Sequence, residues 1–312
     1  MVVLVASTAL SASAVGPLTA ISAPAVVLIG AQRLGVPIGG CPIFPSDNAW
    51  NTRIDTAPVR VGSDETIAEI QSTGATTLHP DFGQNPTYGI PYVVVPASQP
   101  LVPISYNGAA DESDPGPFPV PLNAPVEFGS DRHVLVVQQG SCRLIELYAA
   151  SRVGAGWSAY SGAAFDLNSN ALRPQGFTSA DAAGLAILPG LVRYDEVATG
   201  SINHAVRVTF VNTKRAYILP ATHFASLRTG ANIPAMGLRL RLKATFNVSG
   251  LAPQARVIAT ALQRYGLIVA DNGSNWFFQG APSAGWDDSD LNQLKTISGT
   301  QFEVVETGPE LP

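Results

Sequence analysis

The sequence predicts a mainly β protein: a single-domain antiparallel β-sandwich or jelly roll with a few short peripheral helices. The 29 glycines and 25 prolines among 312 residues favour frequent turns over long helices. Short runs rich in β-branched residues stand between these turns, which is typical of strands. No internal repeat and no linker divides the chain, so we expect one β-rich domain over residues 41–308.

Four short stretches interrupt the β pattern with helical spacing or capping residues. The pattern predicts helices at 63–71, with Ser63 as N-cap, and at 178–183, with Thr178 as cap and Asp181, three residues on, completing a variant of the capping box. The stretch 253–265 begins with a proline and is followed by Gly266, and 287–294 has acids in its first turn. A second hairpin is predicted at 202–219, with the turn at 212–214.

The N-terminal residues 1–31 form an apolar, signal-like leader that precedes the first charged residue, Arg33. Small residues suit cleavage after Ala14 or Ala25, although the positive start typical of a signal peptide is missing. Gly16, Pro17 and Pro24 disfavour a membrane-spanning helix. We therefore expect a secreted, extracellular protein without a membrane span in its mature chain.

Charge excludes one class of partner. Charged residues make up 13% of the chain, about half the usual share, and the net charge is −5. No basic patch with interleaved aromatic residues is present, so nucleic acid is not expected as a partner. Nothing in the composition indicates an oligomeric state.

The two cysteines, Cys41 and Cys142, fit a single disulfide bond in an exported protein. The alternative is a pair of buried free thiols. Two cysteines alone do not make a zinc site, and no metal centre is predicted from them.

A hairpin at 131–148 contains the most unusual residues of the chain. A turn at Gln139–Gly140 would set His133 opposite Glu146, whereas a turn at Gly140–Ser141 would set it opposite Tyr148. Either register places the histidine and the glutamate on one face within reach of each other. A carboxylate beside an imidazole suits acid–base chemistry, and the alternative is a salt bridge on the wet face of the sheet.

Recognisable nucleotide, serine-hydrolase and metalloprotease motifs are missing, so catalytic candidates come from single residues. Sugar-bond hydrolysis needs two carboxylates in a cleft. Glu146, inside an apolar strand, suits the general acid. Asp271, at the end of a buried strand, is also well placed, although DNGS at 271–274 is equally typical of a plain turn. A lyase would instead need a base, His204 or Tyr148, and a cation such as Arg207 for a uronate. Residues 204 and 207 face opposite sides of an unbulged strand, which weakens that pairing.

Further residues are candidates for binding substrate or an ion. Asp166 and the aromatic residues, Trp276 among them, could line a sugar groove, although most aromatic residues belong to cores. No cofactor is predicted apart from a possible calcium ion at Asp111, Glu112 and Asp114, for which the alternative is a solvated acidic loop.

Five stretches, DRHVLVV, LPGLVRYDEV, INHAVRVTF, MGLRLRLKATF and RYGLIVADNGSNWFFQGAP, resemble a family of exported bacterial and fungal proteins. The resemblance covers most of residues 41–306. It implies export and a single domain, and it implies no activity and no site.

We therefore expect an exported carbohydrate-active enzyme, a glycoside hydrolase or polysaccharide lyase, that acts on an extracellular polysaccharide or oligosaccharide. The alternative is a non-catalytic glycan-binding or surface structural protein. The two differ in one respect: the enzyme requires its acids and histidines to converge on a single cleft.

Overall fold

The computed structural model describes residues 35–312, which form one contact unit. The predicted leader, 1–31, lies outside the described residues. The strands are β1 (His79–Asp81), β2 (Tyr92–Val95), β3 (Ile104–Tyr106), β4 (Val134–Gln138), β5 (Arg143–Tyr148), β6 (Ser151–Val153), β7 (Gly156–Ala159), β8 (Ser161–Asp166), β9 (Val206–Phe210), β10 (Arg239–Leu242), β11 (Leu267–Asn272), β12 (Phe277–Gln279) and β13 (Phe302–Val304). The α-helices are α1 (Ser63–Gln71), α2 (Tyr194–Ala198), α3 (Pro253–Arg264) and α4 (Asp288–Asn292).

These strands form three sheets. A six-stranded sheet has the order β1-β12-β9-β11-β10-β13, a four-stranded sheet β2-β4-β5-β8, and a three-stranded sheet β3-β7-β6. The mainly β, sandwich-like fold with few short helices is confirmed. The sheets are mixed, because β1–β12, β9–β11, β2–β4 and β3–β7 pair in parallel. The alternation of apolar and polar residues along a strand indicates which face is buried. It does not indicate whether the strand runs parallel or antiparallel to its neighbour, so the sequence did not reveal these parallel pairs.

The four-stranded sheet is buried on both faces. Leu135 and Leu144 pack into the larger core with residues of the six-stranded sheet, such as Val208. Val136 and Ile145 point the other way, into a smaller core shared with the three-stranded sheet. This double burial explains the continuous apolar run at 134–137, which alternation alone would not produce.

The hairpin β4–β5 has the second of the two predicted registers. Leu135 pairs with Glu146 and Val134 with Leu147, which sets His133, just before β4, opposite Tyr148. The rings of His133 and Tyr148 are 5.5 Å apart. Both His133 and Glu146 are buried, so the expected wet face does not exist at this position.

The helix predictions have mixed outcomes. The first helix spans Ser63–Gln71 as predicted, but Gly62 is its N-cap, and Ser63 Oγ instead accepts a hydrogen bond from the Val304 N–H. The predictions of α3 and α4 are confirmed with slightly shorter bounds. The predicted helix at 178–183 is wrong: the segment is irregular. The return strand of the 202–219 hairpin is also missing, because β9 pairs with β11 and β12 instead.

The disulfide prediction is confirmed. Cys41 and Cys142 are bonded, with Cα atoms 5.3 Å apart and a separation of 101 positions in the sequence. The bond ties the N-terminal part of the described chain to the β4–β5 turn, and it is compatible with an extracellular protein. Within residues 35–312, none of the helices has the length and hydrophobicity that a membrane crossing requires.

Candidate active site

A bulge in β11 orients the first acid of the site. The parallel pairing of β11 with β9 shifts register between Val269 and Asp271, leaving Ala270 without a ladder partner. The Ala270 carbonyl instead accepts a hydrogen bond of 3.0 Å from the Ala183 N–H. Bulges redirect the side chains that follow them, and here the next residue is Asp271.

An irregular segment at 178–188, which we call the Asp181 loop, supplies the second acid. Ser161 Oγ donates to the Ser179 carbonyl at 2.7 Å, and Ser179 Oγ accepts from the Asp181 N–H at 2.9 Å. Side chains thus satisfy the backbone groups that a helix would pair internally. This is why the capping pattern at Thr178 does not produce a helix.

Arg207 joins the two acids. Its Nε and Nη2 atoms lie 3.2 and 3.1 Å from Asp181 Oδ2, and Nη2 is 3.7 Å from Asp271 Oδ2. Nη1 donates to Gln279 Oε1 at 2.8 Å. The guanidinium is buried, so its charge is compensated mainly by these carboxylates. The sequence suggested Arg207 as a cation for a uronate, but in the structure this residue pairs with the protein's own acids.

His133 binds a glutamate other than the expected one. Its Nδ1 is 2.5 Å from Glu127 Oε2, and its Nε2 is 3.2 Å from the Ala180 carbonyl. Both partners only accept hydrogen bonds, so the imidazole satisfies both of them only when both its nitrogens carry protons. Glu127 accordingly raises the pKa of His133 against the opposing effect of burial. The imidazolium holds the Asp181 loop through Ala180.

Glu146 anchors the far end of the same loop. Its carboxylate accepts hydrogen bonds of 2.8–3.0 Å from the N–H groups of Ile187 and Leu188. The side chain is fully buried and does not line a cleft, and burial raises its pKa to about 7. The structure therefore places Glu146 behind the site, where it positions the loop and cannot give a proton to a substrate.

A cleft of about 330 Å³ opens beside the two aspartates. Tyr148 and Tyr160 stand in it with ring centroids 5.8 Å apart at a steep interplanar angle, and Tyr160 is 48% exposed. The lining also includes Asp131, Ser161, Thr178, Ser179, Ala180, Asp181, Ala182, Ala225, Asp271 and Asn272. The cleft thus combines aromatic surfaces, hydroxyl groups and carboxylates.

The two aspartates have different environments. Burial, together with the neighbouring Asp181 carboxylate, raises the pKa of Asp271 to about 7. Burial also raises the pKa of Asp181, but Arg207 contacts that carboxylate through two nitrogens and opposes the rise. Because the guanidinium is closer to Asp181, we assign the negative charge to Asp181 and the proton to Asp271 near neutral pH.

His204 lies in a separate buried cluster. Its Nε2 is 2.9 Å from Glu196 Oε2, and Glu196 Oε1 is 3.4 Å from Arg193 Nη2. Residues 204 and 207 were predicted to face opposite sides of a strand. In the structure they have different partners, because His204 binds Glu196 whereas Arg207 binds the two aspartates. His204 therefore does not converge with the other candidates.

The structure places two other predicted substrate-binding residues away from the cleft. Trp276 is fully buried in the core between Phe210 and Phe302, which leaves it no surface for a sugar. Asp166 lies at the opposite end of β8 from the cleft residue Ser161, and its carboxylate accepts from the Asn168 N–H.

The acidic loop proposed for calcium is occupied by protein contacts. Asp114 accepts from Arg173 Nη1 at 2.6 Å, and Glu112 accepts from the Thr178 N–H at 2.8 Å. Among residues 35–312, histidine, cysteine and acidic side chains do not form a group of three able to hold a metal ion.

Two residues of the site were missed in the sequence. Asp181 was interpreted as a capping residue, and Glu127 was not singled out at all. A signal existed for Asp181: it is an acid among small, uncharged residues, TSADAAG, in a chain that has few charges. Glu127 gave no such signal, because its pairing with His133 depends on a loop conformation.

We expect Glu146→Gln to lower the free energy of unfolding by about 1–3 kcal/mol, because an amide NH₂ then faces backbone donors. Between about pH 4.5 and 7, Glu146 and Asp271 keep their protons in the folded protein, whereas the unfolded chain has released them. Wild-type stability should therefore fall as pH rises through this window. Urea unfolding at several pH values would measure both effects. The variant should show a shallower pH slope, and an unchanged slope would contradict this assignment.

Comparison of the chain with protein-family models, with curated proteins and with solved structures finds no match. Its function is therefore inferred from the chemistry of the cleft.

Proposed function

We propose that the protein is an exported glycoside hydrolase whose active site is the cleft at Tyr148, Tyr160, Asp181 and Asp271. The observation that supports it most is the Asp271 carboxyl, which is 27% exposed in the cleft and has a pKa raised to about 7. A carboxylic acid that keeps its proton near neutral pH is what a glycosidic leaving group needs.

The second carboxylate fits the same chemistry. The Oδ2 atoms of Asp181 and Asp271 are at most 6.8 Å apart, because they lie 3.1 and 3.7 Å from one nitrogen of Arg207. This upper limit is compatible with the separation of about 5–5.5 Å in retaining glycosidases and excludes most of the range of about 6.5–9.5 Å in inverting ones. Since the Asp181 side chain is closed off from solvent, we assign it electrostatic stabilisation of the cationic transition state and not nucleophilic attack.

In this scheme Asp271 gives its proton to the leaving oxygen as the bond from the anomeric carbon to that oxygen breaks. A water molecule then forms a bond to the anomeric carbon, and the Asp271 carboxylate takes up the proton that the water releases. The acid is restored and one water is consumed. Tyr148 and Tyr160 provide faces on which a sugar ring can stack.

Export is part of the proposal. The Cys41–Cys142 disulfide belongs to an oxidising compartment, and the apolar sequence at 1–31 resembles a secretory leader. Sequencing the N-terminus of the protein recovered from culture medium would test this point. A protein retained inside the cell with its leader intact would contradict it.

A screen of neutral, amino and acidic polysaccharides tests the function, with reducing ends measured as product. We expect reducing ends to appear on at least one glycan class without the ultraviolet-absorbing unsaturated sugar that a lyase releases. If the unsaturated product forms, the protein is a lyase that cleaves by elimination and not a hydrolase. Glycan binding without any cleavage would favour the alternative, a non-catalytic glycan-binding protein.

A further inference from the structure

A groove beside helix α3 carries two arginines without partners. It is formed by α3 and the segment 200–202, and it has a volume of about 370 Å³. Arg256 and Arg264 both line this α3 groove and both are exposed. Neither guanidinium makes a hydrogen bond or an ion pair with residues 35–312. The groove shares no lining residue with the cleft at Asp271, so it is a separate site.

The two arginines lie on one side of the helix. They are eight positions apart, and residues spaced by four share a helix face. At a rise of 1.5 Å per residue, their Cα atoms are separated by about 12 Å along the axis. Val257 and Ala261 on α3, and Ile202 in the facing segment, add an apolar surface to the groove. The groove therefore combines two positive charges with aliphatic side chains.

Helix stability accounts for only one of the two arginines. Arg264, in the last turn of α3, interacts favourably with the helix dipole. Arg256 is the fourth helical residue, near the end where a positive charge is unfavourable. No aspartate or glutamate is found among the described residues that line the groove, whereas several other cations of the chain have carboxylate partners, such as Arg241 with Glu303 at 2.7 Å. In a chain of net charge −5, the groove is thus a local site of uncompensated positive charge.

We propose that the α3 groove binds an acidic oligosaccharide, whose carboxylate or sulfate groups pair with Arg256 and Arg264. A guanidinium binds such oxyanions through two parallel N–H···O hydrogen bonds, and these charge-assisted bonds are stronger than neutral ones. The apolar faces of the sugar rings pack on the aliphatic side chains between the two arginines. Because the groove and the cleft are separate, this binding does not depend on the proposed hydrolysis.

The size and composition of the groove favour a glycan over other polyanions. Anionic membrane surfaces attract clusters of about four to eight cations, whereas two line this groove. Single-stranded nucleic acids are bound by aromatic side chains that stack on bases, and none of the described lining residues is aromatic. The volume of about 370 Å³ is within the range of sites for small ligands, about 300–1,000 Å³, so the groove accommodates a short part of a polysaccharide.

Calorimetry at low salt would compare three oligomers of equal length: galacturonate, a sulfated glucan and a neutral glucan. The full chain with Asp271→Asn would be the parent protein, so that the cleft does not cleave the ligand during the titration. Arg256→Gln and Arg264→Gln, alone and combined, would remove the charges and keep a residue with good helix propensity. Arg152→Gln, an exposed arginine on β6 outside the groove, is the matched control.

We expect at least one acidic oligomer to bind the parent protein about tenfold or more tightly than the neutral glucan does. The combined glutamine variant should weaken this binding about tenfold or more, and Arg152→Gln should change it less than about twofold. Added salt should weaken binding to the parent protein more than binding to the combined variant. The tighter of the two acidic oligomers identifies the anion as carboxylate or sulfate.

A lysine variant separates loss of charge from damage to the helix. Arg256→Lys combined with Arg264→Lys keeps both charges, so it should retain more binding than the glutamine variant does. Equal losses in the lysine and glutamine variants would overturn the inference. So would equal binding of acidic and neutral oligomers, or binding of the acidic ones that the glutamine variant leaves unchanged.

Two further ligands test the class of partner. Vesicles containing phosphatidylglycerol represent a lipid surface, and a glutamate oligomer represents an acidic peptide. We expect both to bind the parent protein more weakly than the acidic oligosaccharide does, because neither has sugar rings to cover the aliphatic surface. Arginine-dependent binding of either ligand that is as tight as glycan binding would show that the groove is not a glycan site.

Discussion

Asp271→Asn is expected to reduce hydrolysis about 10²–10⁴-fold and to leave glycan binding nearly unchanged. Asparagine has the shape of the protonated aspartate and can keep the contact with the Asn272 N–H that Asp271 Oδ1 makes at 2.7 Å. It has no proton to give to the leaving oxygen. The initial rate of reducing-end release, measured with a glycan that the screen identifies, would check the result.

The pH profile makes this prediction specific. Because the acid must be protonated, the wild-type rate should fall as pH rises through about 7, the pKa of Asp271. The residual rate of Asp271→Asn should lack that alkaline limb. Glu146→Gln is the matched control: it also replaces a buried acid by its amide, and it should keep the limb. If the alkaline limb disappeared in Glu146→Gln and remained in Asp271→Asn, Glu146 and not Asp271 would be the catalytic acid.

Replacing both Cys41 and Cys142 by serine is expected to lower the free energy of unfolding by about 4 kcal/mol. The disulfide joins residues 101 positions apart, and a crosslink over such a loop removes much of the conformational entropy of the unfolded chain. Both side chains are buried, so the serine hydroxyl groups add a smaller cost of their own. Urea unfolding of oxidised and variant protein would measure the difference.

A control separates the crosslink from the new hydroxyl groups. Wild-type protein kept reduced during unfolding has the same side chains and no crosslink, so it should lose nearly as much stability as the serine variant. A loss below about 1 kcal/mol in reduced protein would show that the crosslink stabilises little. Activity at low temperature should survive in both forms, because neither cysteine lines the cleft.

In the hairpin at 131–148 the shared face of the side chains could be predicted from the sequence, but their hydrogen-bond partners could not. Its alternation placed His133, Glu146 and Tyr148 on one face, and the structure has one of the two predicted registers. The partners of these residues did not follow from the pattern. Glu127 and the backbone of Ile187 and Leu188 reach them through loops, and loop conformations depend on tertiary contacts.

The same limit applies to the acid of the site. Both Glu146 and Asp271 were candidates because each is an acid at an apolar strand, and burial raises the pKa of each to about 7. Sequence could not separate them. The difference is that two backbone donors close off Glu146, whereas the bulge at Ala270 leaves Asp271 partly exposed in a cleft.

The mainly β class, the disulfide, the helices at 63–71 and 253–265 and the shared face of the hairpin could be predicted from the sequence, because each follows from composition, spacing or neighbouring residues. The meeting of Asp181, Arg207 and Asp271 depends on tertiary contacts, and so does the placement of His204 and Trp276 away from them. Residues 181, 207 and 271 lie far apart along the chain. What brings them together is the parallel pairing of β9 with β11 and the hydrogen bond from the Ala183 N–H to the Ala270 carbonyl, which holds the Asp181 loop on β11.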